Sequence, residues 1–233
     1  MVSRSTLVLA AVALLSVACA KDKMDDMGAA SATPAGSAMM DGAEYTLVLR
    51  SNWTAANHPV EYPAGAAHFS GIIGTAHDAS FALFQDGAMP TPGLEALSEM
   101  GKHTPLDMEI RVADSAGHSA NLFTTGPLKN FSDSIVATLR VDAKHPTVSL
   151  VAMIAPSPDW FAGASANLME NGTWAASKTI QLYAWDSGGD DGQTYKAADR
   201  DNNPKKATRQ AMSRHFVMNG APVPVSTVVL TRK

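Results

Sequence analysis

The chain has 233 residues, with 18 Lys and Arg against 22 Asp and Glu, a net charge of -4 and a hydrophobic share of 45%. That length holds one sizeable domain with a real core. Mild acidity without any block of Lys or Arg excludes a phosphate-binding face, so no nucleic acid is expected as a partner, and a single cysteine leaves no pair for an internal disulfide.

Residues 1–18 read as an export signal. Arg4 gives the basic start, Leu7 to Leu15 form an apolar stretch too short for a comfortable membrane span, and small residues follow. Cys19 lies at the cleavage region, in Leu15-Ser16-Val17-Ala18-Cys19, which resembles the lipobox of bacterial lipoproteins; in that reading Cys19 is the lipidated first residue and the membrane anchor. Ser16 stands where the lipobox has Leu, and Ala18-Cys19-Ala20 also suits ordinary signal peptidase, so a secreted product without Cys19 is the alternative. Ala20 and Lys21 do not resemble the inner-membrane retention signal, which directs the expectation to the outer membrane or the periplasmic face. Residues 19–43 read as a flexible tether, rich in Ala, Gly, Ser, Met and Asp without periodicity. Met24, Met27, Met39 and Met40 among Asp22, Asp25 and Asp26 are spaced too irregularly to favour a metal-binding tract.

The folded domain is expected over residues 44–233. Alternation begins abruptly, with Tyr45, Leu47 and Leu49 on one face and Thr46, Val48 and Arg50 on the other. Further strands are predicted over Ser80 to Gln85, Ala120 to Thr124, Ser134 to Val141, Thr147 to Ala155, Ser165 to Met169, Lys178 to Trp185, His215 to Asn219 and Val223 to Thr231. Asn171-Gly172 and Asn219-Gly220 supply the paired positive φ of tight hairpins. Leu94, Leu97 and Met100 have helical spacing before Gly101, and a second short helix is predicted over Pro105 to Val112. Many short strands without repeated strand-helix alternation predict an all-β fold, an antiparallel β-sandwich capped by one or two short helices.

Two acidic stretches, Pro156-Ser157-Pro158-Asp159-Trp160 and Trp185-Asp186-Ser187-Gly188-Gly189-Asp190-Asp191-Gly192, each follow an apolar run that reads as a buried strand. Loops at one end of a sheet would bring Asp159, Asp186, Asp190 and Asp191 together. Carboxylates with no Lys or Arg among them either stay solvated or await a cation, and glycines let loop carbonyls join them as hard oxygen ligands. On spacing alone, a calcium site and a solvated turn are evenly matched. An EF-hand is excluded, because Asp186 and Asp190 are four apart and no glutamate closes the loop. The histidines are scattered without a paired zinc motif, no nucleophile sits in a recognisable frame, and the Gly71 to Gly74 region lacks a nucleotide-binding pattern.

These motifs resemble the spondin domain, the N-terminal module of F-spondin and mindin. Ser157-Pro158-Asp159-Trp160, with Phe161 and Gly163, resembles the family's SPDW-F/I-x-G motif, and Trp185 to Gly192 resembles WDAGTDSG. Trp53, His58-Pro59, and Ala67-His68-Phe69-Ser70-Gly71-Ile72-Ile73-Gly74 with His77 are similar to the family's early W...HP...AHFSPLIGATH stretch. The resemblance implies a β-sandwich similar to calcium-dependent membrane-targeting domains, with one calcium held at one end by Asp159, Asp186 and Asp190. Departures are Ser187 for Ala, Gly189 for Thr and Asp191 for Ser, the last making Asp191 a possible additional metal ligand.

The expected function is therefore a calcium-binding, non-catalytic domain exported to the cell envelope, a monomer that serves adhesion or binds a protein or glycan ligand. One rival is a metal-dependent hydrolase using the same carboxylates with His58 or His77 as base. The other is a structural envelope protein whose aspartates are solvated turns.

Overall fold

The computed structural model describes residues 42–233; the export signal, Cys19 and the tether through residue 41 lie outside the described residues. Strands β1 (Ala43–Ser51), β2 (His68–Phe69) and β3 (Ile73–His77) lead to helices α1 (Pro92–Met100) and α2 (Leu106–Ser115). Strands β4 (Ser119–Thr124), β5 (Ile135–Val141), β6 (Thr147–Ala155) and β7 (Trp160–Asn167) follow, then the short pair β8 (Met169–Glu170) and β9 (Thr173–Trp174). The chain ends with β10 (Ser177–Asp186), β11 (Arg209–Gln210), β12 (Val217–Met218), β13 (Ala221–Pro222) and β14 (Ser226–Arg232).

Every strand pairing is antiparallel, and the main path runs β4-β3-β6-β7-β10-β14-β1-β5. The sheet folds over at β10, whose first half (Ser177–Leu182) pairs with β14 while its last residues (Tyr183–Asp186) pair with β7. A strand that passes from one layer to the other is how sandwich corners are made. The two layers close on one core containing Tyr45, Leu47, Leu49, Trp53, Leu150, Ile154, Trp160 and Leu182. The end strands β4 and β5 come into contact, so the sandwich is nearly a closed barrel.

The predicted alternation of β1 holds, with Tyr45, Leu47 and Leu49 buried and Arg50 exposed. β6 is buried along nearly its whole length because both its faces are covered. Val148, Leu150, Ala152 and Ile154 enter the main core, whereas Val151 joins Ile73 and Phe161 beneath Leu94, Leu97, Leu106 and Ile110 of the helices. The helices thus lie on the outer face of β3, β6 and β7 rather than capping an end. In α1, Thr91 is the N-cap, its hydroxyl accepting from the Leu94 N–H at 3.1 Å, and Gly101 closes the helix at φ 65°. Met100 faces outward, unlike Leu94 and Leu97. Glu109 of α2 ties the helices together by accepting from the Gly93 N–H at 2.7 Å and the Thr91 hydroxyl at 2.6 Å.

Both Asn-Gly turns form as expected: Asn171 and Gly172 have φ 51° and 77° between β8 and β9, and Asn219 and Gly220 have φ 53° and 80° between β12 and β13. Residues 80–85 are not a strand. Phe81, Leu83 and Phe84 instead pack individually on the helix-side cluster, with Phe84 seated where Gly163 leaves room, a Cβ there falling 2.9 Å from its ring. The strand of that layer is β3, between β4 and β6.

Candidate functional site

The site begins in strand register. Trp160 opens β7 and pairs with Asp186, the last residue of β10, so the loop before β7 and the loop after β10 emerge side by side. Trp160 is anchored in the core, its ring edge-on to Tyr195 and Phe216 at 5.4 and 5.0 Å between centroids. Asp159 is thereby held against the residues that follow Asp186, and the Ser187 N–H donates to the Asp159 carbonyl at 3.2 Å.

Asp159 is fully buried and organises the turn. Its Oδ2 accepts from the Ser187 hydroxyl and from the N–H groups of Gly188, Gly189 and Asp190, at 2.9, 2.9, 2.9 and 3.1 Å. Its Oδ1 is also buried and has no hydrogen-bond partner. Burial raises the Asp159 carboxyl above its ordinary value, against the opposing pull of the Asp190, Ser187, Gly189 and Gly188 donors. Asp186 is pushed up to about 6, first by burial and then by the Asp159 charge; the Gly188 N–H, which bonds its Oδ1 at 3.0 Å, works the other way.

Asp190 is buried as well, but its carboxylate turns toward its own loop. Oδ1 accepts from the Gly192 N–H at 2.6 Å, and Oδ2 accepts from the Arg200 N–H. Asp191 is ion-paired with the exposed Arg200 at 2.7 Å. The loop carbonyls are likewise engaged. Ser187 O accepts from the Thr208 hydroxyl at 3.0 Å, and Gly188 O from the Asn202 amide at 3.1 Å and the Lys206 N–H at 2.9 Å. Gly189 O accepts from the Asn202 N–H at 2.7 Å, and Asp190 O from the Asn202 amide at 2.7 Å. Through these bonds the turn holds residues 202–208 against it.

The structure thus brings Asp159 and Asp186 together, aims Asp190 at its own loop and turns Asp191 to a surface pair. Among the described residues, no three His, Cys, Asp or Glu side chains stand arranged to hold a metal ion. The chemistry of the donors still suits a hard cation, because the side chains that bond Asp159 or feel its charge, those of Ser187 and Asp186, offer oxygen. A further carboxyl beside the turn comes from an element the motifs did not indicate: Glu99 of α1, which lies against Gly189 and is pushed up to about 7 by burial and then by Glu95, against the opposing pull of the Lys205 ammonium, with smaller contributions from Asp201 and Asp159. A hint was present in sequence, since Glu95 and Glu99 share one helix face without a basic partner inside the helix. Asn202 and Thr208 gave no local signal, because their partners are 12 to 21 residues away.

Neither histidine considered as a base bonds to these carboxylates. The His58 ring nitrogens face the carbonyls of His215 and Pro224 at 3.1 and 3.4 Å. His77 pairs with Thr147 at the start of β6, the far end from Asp159, and bonds the Ser149 hydroxyl at 2.6 Å.

A family model described as Spondin_N matches residues 43–221, taking in both loops of the site. The chain belongs to the Spondin_N family. Similar proteins include Spondin-1 of Homo sapiens, 30% identical over 178 residues that make up 73% of this chain and 22% of that protein. Spondin-2 of Homo sapiens is 30% identical over 159 residues, 66% of this chain and 48% of that protein. Spondin-1 of Xenopus laevis aligns with 82% of this chain at 30% identity, again over a quarter of its own length. The chain therefore spans less than half of the relatives it matches. The spondin domain here carries both aspartate-bearing loops at adjoining strand ends, and no described helix is long and apolar enough to cross a membrane.

Proposed function

We propose that this spondin domain is a calcium-binding, non-catalytic module exported to the cell envelope, where it serves adhesion or binds a protein or glycan ligand. Asp159 and Asp186 are the central ligands, and Asp190, with Asp191 beside it, closes the loop around them. Cys19 would carry the lipid that tethers the domain to the membrane. The observation that supports a cation is the Asp159 Oδ1: a fully buried, unpartnered carboxylate oxygen in a side chain whose charge acts on a second, half-buried carboxylate, Asp186. Buried acceptors are nearly always satisfied, and leaving one unpaired costs about 1–3 kcal/mol, more for a charged group. A bound calcium would supply the missing partner and fix the loop geometry. It would act on structure, through the two loops it joins.

Thermal melting of the purified domain with and without calcium tests the reading. Binding to the folded state raises stability by RT ln(1 + [L]/Kd), so Tm should climb with calcium concentration. An unchanged Tm at millimolar calcium, or an equal rise in the Asp159→Asn plus Asp186→Asn variant, would overturn it.

A further inference from the structure

Independently of the calcium reading, we propose that Ser165 on the outer face of β7 is a covalent modification site, a hydroxyl that takes an acyl group from activated esters because Ser149 relays it to His77. The three residues meet through strand register. Thr75 of β3 pairs with Ser149 of β6, and Ser149 with Ser165 of β7, so the two serines lie side by side on one face. His77, two residues beyond Thr75, shares that face. Its Nε2 lies 2.6 Å from the Ser149 hydroxyl, which is in turn hydrogen-bonded to the hydroxyl of Ser165. His77 and Ser149 are buried and Ser165 is exposed, so the chain of bonds runs from the interior of the fold to its surface. The partners are 72 and 16 residues apart, and no sequence frame marks Ser165.

One carbonyl fixes the direction of every bond in the relay. His77 Nδ1 is 2.7 Å from the Asp78 carbonyl, which can only accept, so Nδ1 carries the ring proton and Nε2 of the neutral imidazole is an acceptor. Ser149 therefore donates to Nε2 and, with its only proton committed there, accepts from Ser165. Burial holds His77 below the ordinary imidazole value, against the opposing pull of Asp78, so the ring is neutral at pH 7. Phe81 packs edge-on to the ring at 5.7 Å between centroids. A hydroxyl whose proton is drawn toward a base, itself oriented by a third group, is an activated nucleophile, and here the second serine carries that pull to the surface. No member of the relay is cationic at neutral pH. A phosphoryl donor would meet no counter-charge, and a neutral ester carbonyl is the electrophile that fits. Ser165 Oγ bonds the carbonyl carbon as the bond from that carbon to the leaving oxygen breaks. The Ser165 proton passes to Ser149 while Ser149 passes its own to Nε2, and the imidazolium so formed balances the departing anion. The product is one ester per chain at Ser165, a modification and not a turnover.

The test exposes the purified chain to p-nitrophenyl acetate and follows acetylation residue by residue with peptide mass spectrometry. Ser115 and Ser132 are the comparison, exposed serines whose hydroxyls donate to the Arg111 carbonyl and the Asn130 amide oxygen instead of a base. Ser165 should be acetylated at least about tenfold faster than either. Ser149→Ala and His77→Gln should each bring the Ser165 rate down to theirs, with circular dichroism reporting that each variant is folded. The pH profile of the wild type needs no substitution. The Ser165 rate should be level from about pH 7 to 8 and fall off below about pH 6.5 as His77 protonates, whereas the Ser132 rate should climb throughout with hydroxide. The charged groups facing His77 are Asp78 and His145, with His118 paired to Asp78 and Asp142 to His145. Equal rates at Ser165, Ser115 and Ser132 would overturn the proposal. So would an unchanged Ser165 rate in a folded His77→Gln chain, or a Ser165 rate that climbs with pH without a plateau.

Discussion

Trp160 and Asp186 are the outermost register pair of β7 and β10, and this pairing sets the acidic loops against each other. Because Trp160 is locked in the aromatic core, the backbone of Asp159 cannot drift, and its carboxylate becomes the acceptor around which residues 187–190 wind. The site is a property of strand register first and of side-chain charge second.

Asp159→Ala removes the shared acceptor and leaves the N–H groups of Gly188, Gly189 and Asp190 without it inside a closed turn. The expected cost is on the order of 3 kcal/mol. Asp159→Asn keeps the shape and one carbonyl acceptor, so it should lose about half as much. Urea denaturation of both variants in chelator checks the ranking; equal losses would mean the carboxylate does not organise the turn.

Asp190 and Asp191 are neighbours with separate duties, and their alanine variants should differ sharply. Asp190 is buried and holds the Gly192 and Arg200 N–H groups, so Asp190→Ala should destabilise by about 2 kcal/mol and speed amide exchange over residues 191–202. Asp191 pairs only with an exposed guanidinium, and its loss should cost under about 1 kcal/mol. Hydrogen exchange followed by mass spectrometry separates the two outcomes.

Much of this was legible in the sequence where contacts are local. The two-residue rhythm of β1, the Asn-Gly hairpins and the helix stop at Gly101 each depend on a few adjacent residues. The strand expected over residues 80–85 shows the limit: Phe81, Leu83 and Phe84 alternate, yet they are buried by packing on the helix-side cluster rather than by pairing. Glu99, Asn202 and Thr208 were invisible as parts of the site for a related reason. Their partners lie far away in the chain, and the fold alone brings them together. Conversely, the aspartates were readable, but whether each would bind the turn, its own loop or an arginine was decided by register.

Two sets of side chains weaken the domain in acid, in separate pH ranges. Burial disfavours the imidazolium of His58 and His77, holding both below the ordinary imidazole value. The unfolded chain takes up these protons at about pH 6.5, before the folded one does, so stability is complete above that value and falls as pH drops through it. The fall levels off once the folded rings protonate. Glu61 and Asp78 act lower: hydrogen bonds from His215 and His118 hold their carboxyls below the ordinary range, so their contribution is lost as pH falls below about 4. The raised carboxyls of Asp159, Asp186 and Glu99 work the other way, taking up protons in the folded state first, so the histidine share is read as a difference: the urea midpoint of the wild type minus that of a His58→Gln plus His77→Gln variant should shrink from pH 8 to pH 5. A difference that grows toward pH 5 would contradict the sign.

Gly188 and Gly172 both have positive φ, 87° and 77°, but only one is also enclosed. A Cβ at Gly188 would collide with the Lys206 carbonyl, whose own N–H donates to Gly188 O at 2.9 Å, whereas nothing lies within 4 Å of a Cβ at Gly172. Gly172→Ala therefore pays only for the left-handed backbone, about 1 kcal/mol. Gly188→Ala adds displacement of the strand of chain at Lys206, and with it the Asn202 and Lys206 bonds that brace the turn, for a cost of about 3 kcal/mol. Because the same displacement shifts the N–H that bonds both Asp159 and Asp186, Gly188→Ala should also abolish the calcium-dependent rise in Tm, while Gly172→Ala leaves that rise unchanged. Melting curves of the two variants with and without calcium read both effects at once.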